Sequence, residues 1–268
     1  MTSAVLIWSL RVILLLGSML MVLKLYRTEL YRRYPVFFAF FLFRIPNSIW
    51  PLFLEVSSPR YQQIWILTEP IALGFYVYLV VELYRSVLER YKGLYSLGRW
   101  VMFASVAVSV TISALSLLPT IKPELAQESK IMMYVLAIER GVDTSLAIFI
   151  ILILFFLSFF PIKLSRNVRV HALVFSVFFL SNTLVLLMRS LFGLRLADEF
   201  NTVLLGLTAA SVVAWVTMLR STGEDSKAAP AALGPEYESR LLAHLDSLNS
   251  ALLKSSERAK HKYDAVPR

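Results

Sequence analysis

Apolar runs of about 20 residues recur along this 268-residue chain as far as position 219. At 1.5 Å of rise per residue, a helix of that length crosses a hydrocarbon layer about 30 Å thick. Inside such a layer every backbone N–H and C=O must find its partner within the protein, so runs of this kind fold as helices. Seven of them predict transmembrane helices near residues 4–25, 35–55, 62–84, 100–119, 135–160, 170–191 and 200–219. The predicted fold class is therefore an all-α, polytopic integral membrane protein. Composition agrees, with 57% apolar residues, a mean hydropathy of +0.66 and 17% charged residues, against about 25% in soluble domains. The first run, Ala4 to Tyr26, exceeds a signal-peptide core and has no basic segment before it, so it reads as a retained span.

Lys and Arg fall unevenly on the connecting segments. One side holds Lys24, Arg27, Arg32, Arg33, Arg85, Arg90, Lys92, Arg99, Lys163, Arg166, Arg169, Arg220 and Lys227. The other holds Arg60, Lys122, Lys130, Arg189 and Arg195. Basic loops remain cytoplasmic, which predicts an outside N-terminus, a cytoplasmic C-terminus and residence in the plasma (inner) membrane. The net charge of +9 is on this reading an orientation signal, with the lipid bilayer as partner and no nucleic acid. Indoles favour the headgroup level, and Trp8, Trp50, Trp65, Trp100 and Trp215 all fall near predicted helix ends.

Six ionisable residues interrupt the spans: Arg11, Arg44, Glu69, Glu139, Arg140 and Asp143. Predicted depth puts all six in the outer half of the membrane or near its centre, and none in the inner half. An ionised side chain at the middle of a span costs about 2.5–3.5 kcal/mol on insertion scales, so such groups turn inward and find partners. Arg44 and Glu69 have matching depth on successive antiparallel helices and are expected to pair. Arg140 lies three residues before Asp143 and can touch it, while Glu139 and Asp143 share a helix face. Arg11 is then left to reach one of these acids. Asn47, Ser48, Thr68, Thr144, Asn182, Thr183 and Asn201 add hydrogen-bonding groups at similar depth. Pro46 and Pro70 are expected to kink their helices beside Arg44 and Glu69. The candidate ligand-binding set is Arg11, Arg44, Asn47, Glu69, Glu139, Arg140, Asp143 and Asn182.

Small residues recur every fourth position at Ser105, Ser109 and Ser113, and at Gly206, Ala210 and Ala214, and predict close helix contacts. The stretch from Val80 to Arg99 is expected to continue span three onto the inner surface. Residues 220–236 read as a flexible cytoplasmic linker. Residues 237–262 read as a cytoplasmic amphipathic helix, with Leu241, Leu245, Leu248 and Leu252 on one seam. That seam suits self-association, a cytoplasmic protein partner or the membrane surface.

There is no Cys, no paired His spacing, no phosphate loop and no nucleophile motif. The last span contains no Lys, which argues against a retinal Schiff base. His171 reads as an interfacial histidine. No catalytic residue, metal or cofactor is expected. The leading expectation is a receptor-like or sensor-like protein with an outward-facing charged pocket for a small polar ligand. A transporter or ion-coupled carrier is the alternative, disfavoured by the lack of charge in the inner half of the spans. An intramembrane enzyme acting on a lipid is a second alternative.

Overall fold

The computed structural model describes residues 2–54, 58–88, 92–117, 127–159, 164–192 and 197–224, with positions 240, 243 and 245–254 near the C-terminus. Seven α-helices and no strand occur among the described residues. They are α1 (Thr2–Arg27), α2 (Pro35–Phe53), α3 (Pro59–Val87), α4 (Lys92–Leu117), α5 (Gln127–Phe159), α6 (Arg166–Phe192) and α7 (Ala197–Met218). Short 3-10 turns follow α1 (Leu30–Arg32) and α7 (Ser221–Glu224). Six of the helices, α1, α2, α3, α4, α6 and α7, are long and apolar enough to cross a membrane. The longest, α5, carries Glu139, Arg140 and Asp143 and is not one of the six. The chain is thus compatible with a multi-pass integral membrane protein.

Helix ends follow local chemistry in some places and tertiary chemistry in others. Ser58 caps α3, its hydroxyl accepting from the Tyr61 amide at 3.2 Å, and Pro59 takes the first helical position, where no N–H is needed. At the start of α2, Tyr34 contributes no side-chain cap. The amides of Val36 and Phe37 donate instead to the two carboxylate oxygens of Glu82 on α3, at 2.9 and 3.0 Å. Glu29 turns the chain after α1 with a left-handed φ of 57°, a conformation that costs a non-glycine residue energy. Its exposed ion pair with Arg32, at 3.5 Å, adds little stability.

Neighbour relations close a ring in the order α1, α2, α3, α5, α6, α7 and back to α1, while α4 lies outside it, packed chiefly on α5. The ring order departs from chain order only where α4 is bypassed. The stretch 80–99 is correspondingly divided between the end of α3 and the start of α4, and is not one continuation of span three. Tyr84 and Gly98 hold these two helices together. The Tyr84 hydroxyl donates to the Leu94 carbonyl at 2.9 Å, and a Cβ on Gly98 would overlap the same ring.

The interior is strongly aromatic. Phe37, Phe40 and Phe41 of α2 meet Phe175, Phe178 and Phe179 of α6, Tyr76 of α3 and Trp215 of α7, with ring centroids 4.9–6.1 Å apart. Such pairs add about 0.5–1.5 kcal/mol each beyond their burial. Trp215 is 3% exposed, so it is a core residue and not an interfacial indole; Trp8 and Trp100 do lie exposed. The small-residue stripe of α7 is no tight seam either. A Cβ on Gly206 would meet nothing within 4 Å, and Ala210 is exposed. The close approach occurs at Gly17 of α1, where a Cβ would lie 2.7 Å from Val212 of α7. On α4 the Ser105 carbonyl accepts from Ser145 of α5 at 3.4 Å, a weak bridge, and the Ser113 side chain lies outside the described residues.

Of the C-terminal segment, linker positions 225–236, Leu241 and most of 237–262 lie outside the described residues. Positions 245–254 are helical. Leu245 is fully buried in the hydrophobic core shared with the bundle, whereas Leu248 is exposed.

Candidate functional site

Five of the eight residues in the candidate set act on one place, the ring of Tyr76 on α3 and its surroundings. Arg44 of α2, Glu69 of α3, and Glu139 and Asp143 of α5 all exert their charge on the Tyr76 hydroxyl. Glu69 also acts on Asp143, and Arg44 on Glu69. Asn182 of α6 joins them by donating to Asp143 Oδ2 at 3.2 Å. Four helices thus converge, and a buried carboxylate, 1% exposed, receives a neutral donor. Breaking this bond leaves a buried polar group without its partner, which costs about 1–3 kcal/mol.

Several pairings differ from the expectation. Arg44 and Glu69 lie within electrostatic reach but close no ion pair. The Arg44 guanidinium sits 5.6 Å above the Phe40 ring, a cation–π contact, and its Nε is buried without a hydrogen-bond partner. Matching depth fixes only the height of two groups; their azimuth around each helix decides whether they touch. Arg11 does not bond an acid. Its Nη1 donates to the Pro51 carbonyl near the C-terminus of α2, one of the orphan acceptors a helix end leaves, while its charge also acts on Tyr61. Asn47 serves its own helix, its Oδ1 accepting from Trp50 Nε1 at 2.8 Å. Glu139 and Arg140 are half-buried on α5, and Asn201 is exposed. Helices α2 and α3 run on through Pro46 and Pro70, and α2 also through Pro51. Each proline still removes one N–H from its ladder, which leaves the carbonyls of Leu42, Ile66 and Asn47 without their usual helix donors.

Two buried atoms of the cluster, Arg44 Nε and Asp143 Oδ1, find no partner in the protein, and neither does Thr183 Oγ1 on α6. The remaining ones among the described residues are Trp215 Nε1 and both ring nitrogens of His171. Arg44 and Trp215 line one crevice with Tyr76 and Thr208. It encloses about 10 Å³, the room of a single water molecule. A second crevice of the same size is lined by Glu82 and His171. Leu79 and Phe175 form walls of both.

Glu82 and His171 are the functional candidates that sequence reasoning passed over. Glu82 lies within the predicted third span, so the six ionisable residues expected inside the spans are not the full set. His171 is no interfacial residue. It is 3% exposed and packs against Tyr34 and Phe37 at 4.6 Å and Phe175 at 5.9 Å between ring centroids. The usable sequence signal was the Glu inside an apolar run, VVELY, opposite a helix that opens with Pro and lacks a capping side chain.

Among the described residues, no three His, Asp or Glu side chains are grouped to hold a metal ion. No family model matches the chain, and no significant match was found among curated proteins or solved structures.

Proposed function

We propose that this chain is a seven-span protein of the plasma (inner) membrane with its N-terminus outside and its C-terminus in the cytoplasm. We propose further that the cluster around Tyr76 is a receptor-like or sensor-like site for a small polar ligand. The thirteen-to-five asymmetry of Lys and Arg supports the orientation, and the length of α5, 33 residues, supports a seventh span. The apolar half of α5 after Asp143, SLAIFIILILFFLSF, provides its hydrophobic stretch.

One observation carries the ligand reading. The buried atoms that lack partners in the outer cluster include both a donor, Arg44 Nε, and an acceptor, Asp143 Oδ1. Buried polar atoms are nearly always satisfied, and a ligand with an acceptor and a donor would satisfy both. The crevice beside Arg44 admits only a water-sized group, so ligand entry on this reading involves a shift of α2 against α6, helices that meet through aromatic rings.

The test is thermal unfolding of the full chain in lipid nanodiscs against a panel of the common amino acids and simple carboxylates. A saturable rise in Tm for the wild type that disappears in Asp143→Asn supports the site. A panel in which no compound shifts the wild-type Tm overturns it.

The carrier reading gains from the structure what the sequence had denied it. Glu82 and His171 supply polar groups in the inner half, and their crevice shares two walls with that of Arg44. Intramembrane acid and imidazole groups in succession are a common arrangement in coupled carriers. Uptake of a panel compound into sealed proteoliposomes distinguishes the two: accumulation supports a carrier, binding without uptake a sensor.

A further inference from the structure

The seam between α1 and α7 ends in a cluster of cations that takes no part in the Tyr76 site. We propose that Lys24 and Arg220 bind the phosphate of an anionic phospholipid there, at headgroup level. The proposal rests on the membrane-spanning reading of the chain and adds to it a defined lipid site.

Contacts along the seam fix its geometry. A Cβ on Gly17 would lie 2.7 Å from Val212, and two turns later Lys24 Nζ donates to the Val216 carbonyl at 2.5 Å. The contacts ascend both helices together, so α1 and α7 run parallel and finish side by side. Arg220 lies one turn beyond Val216, just past the end of α7, and its charge acts on Lys24. The Arg220 backbone is held by the fully buried Asn167 of α6. Asn167 Nδ2 donates to the Arg220 carbonyl at 2.7 Å, and its Oδ1 accepts from the Arg220 amide at 3.2 Å. The Arg220 side chain is exposed. Neither Lys24 nor Arg220 closes an ion pair among the described residues.

Charge at this end does not balance among the described side chains. The C-termini of α1 and α7 together present about one negative charge, half from each macrodipole. Against it stand Lys24, Arg220 and the exposed Arg27 in the last turn of α1. Glu29, the acid that follows α1, is taken by Arg32 at 3.5 Å. Two cations within reach of each other repel, and an anion between them turns repulsion into attraction. Lysine has three N–H donors, of which Val216 uses one, and the guanidinium fork matches the oxygens of a phosphate. One turn before Lys24 and Val216, toward the middle of the helices, Leu20 and Val213 are exposed. They offer an acyl chain an apolar surface below the headgroup, from which a free phosphate would gain nothing. The occupant that matches both parts of the seam is therefore an anionic lipid.

The test is native mass spectrometry of the full chain, released from detergent micelles and titrated with phosphatidylglycerol or with phosphatidylcholine of the same acyl chains. The first phosphatidylglycerol is expected to bind about fivefold more tightly than the first phosphatidylcholine. Lys24→Gln and Arg220→Gln should each weaken it about fivefold, and Lys24→Arg should retain it. Arg220→Gln keeps both backbone bonds to Asn167, so its fold is not at stake. Arg99→Gln, which removes an exposed cation of α4 away from the seam, should leave binding unchanged. Equal affinity for the two lipids overturns the proposal, and so does unchanged phosphatidylglycerol affinity in the folded Gln variants of Lys24 and Arg220. A loss of the same size in Arg99→Gln overturns it too, by assigning the preference to diffuse surface charge. Displacement of the lipid by excess inorganic phosphate would assign the site to a free anion and overturn the lipid. Recovery of the chain in soluble form without detergent or lipid would instead sink the membrane reading itself, an outcome distinct from all of these.

Discussion

The carboxylate of Glu82 on α3 accepts the backbone amide of Val36 at the start of α2, 2.9 Å away and 46 residues earlier in the chain. A helix that has no side-chain cap of its own is thus capped by another helix.

Loss of that cap has a measurable consequence. Glu82→Ala removes the acceptor of two amides and leaves both without a partner. An ordinary cap is worth about 0.5–2 kcal/mol, and hydrogen bonds to a charged group more, so a loss of about 2–4 kcal/mol is expected. Glu82→Gln retains one carbonyl oxygen and is expected to lose about half as much. Unfolding in mixed micelles by a denaturing detergent reads both; equal stability of wild type and Glu82→Ala would show that the cap is dispensable.

The pair Asp143 and Asn182 tests how the cluster around Tyr76 is held together. Asn182→Leu leaves a buried carboxylate without its donor and is expected to cost about 2–4 kcal/mol. In the double variant with Asp143→Leu the stranded charge is gone, so the double variant should be more stable than Asn182→Leu alone. A strictly additive double variant would mean that the two side chains do not interact.

Gly17 and Val212 set the distance between α1 and α7. Gly17→Ala places a methyl 2.7 Å from Val212 Cγ1, and overpacking of this kind costs about 1–3 kcal/mol. Val212→Ala removes the obstructing methyl groups. The Gly17→Ala penalty should therefore shrink by more than half in the Val212→Ala background, read by the same denaturation cycle.

Two cations of α1 cap neighbouring helices at opposite ends. Arg11 donates to the Pro51 carbonyl of α2, and Lys24 Nζ to the Val216 carbonyl of α7 at 2.5 Å. Thirteen residues of helix separate them, about 20 Å. Arg11→Gln and Lys24→Gln are each expected to cost about 0.3–2 kcal/mol and to add without coupling, because they share no partner.

The proposed orientation is testable because the chain has no Cys. A membrane-impermeant maleimide should label Arg60→Cys on intact cells and Thr222→Cys only after permeabilisation. The reverse pattern would invert the topology.

Hydropathy alone determined that this chain forms long apolar helices and roughly where they end, because a helix is the one local structure that satisfies an apolar backbone in hydrocarbon. It also singled out Arg11, Arg44, Glu69, Glu139, Arg140 and Asp143 as inward-facing, since a charge facing lipid is too costly, and four of these six, Arg44, Glu69, Glu139 and Asp143, act on Tyr76. Which face of each helix turns inward was not legible. In a soluble helix the apolar stripe marks the core, whereas lipid is as apolar as the core, so periodicity carries little information about facing. Trp215, His171 and Gly17 were therefore misplaced or overlooked, and Gly206 was expected in a close seam although a Cβ there would meet nothing within 4 Å. Tertiary packing alone decided that α4 lies outside the ring, that Arg11 takes a carbonyl in preference to an acid, and that Glu82 closes α2. Each depends on the rotation of one helix about its axis relative to another, a quantity that side-chain packing and partner geometry set and that linear spacing leaves open.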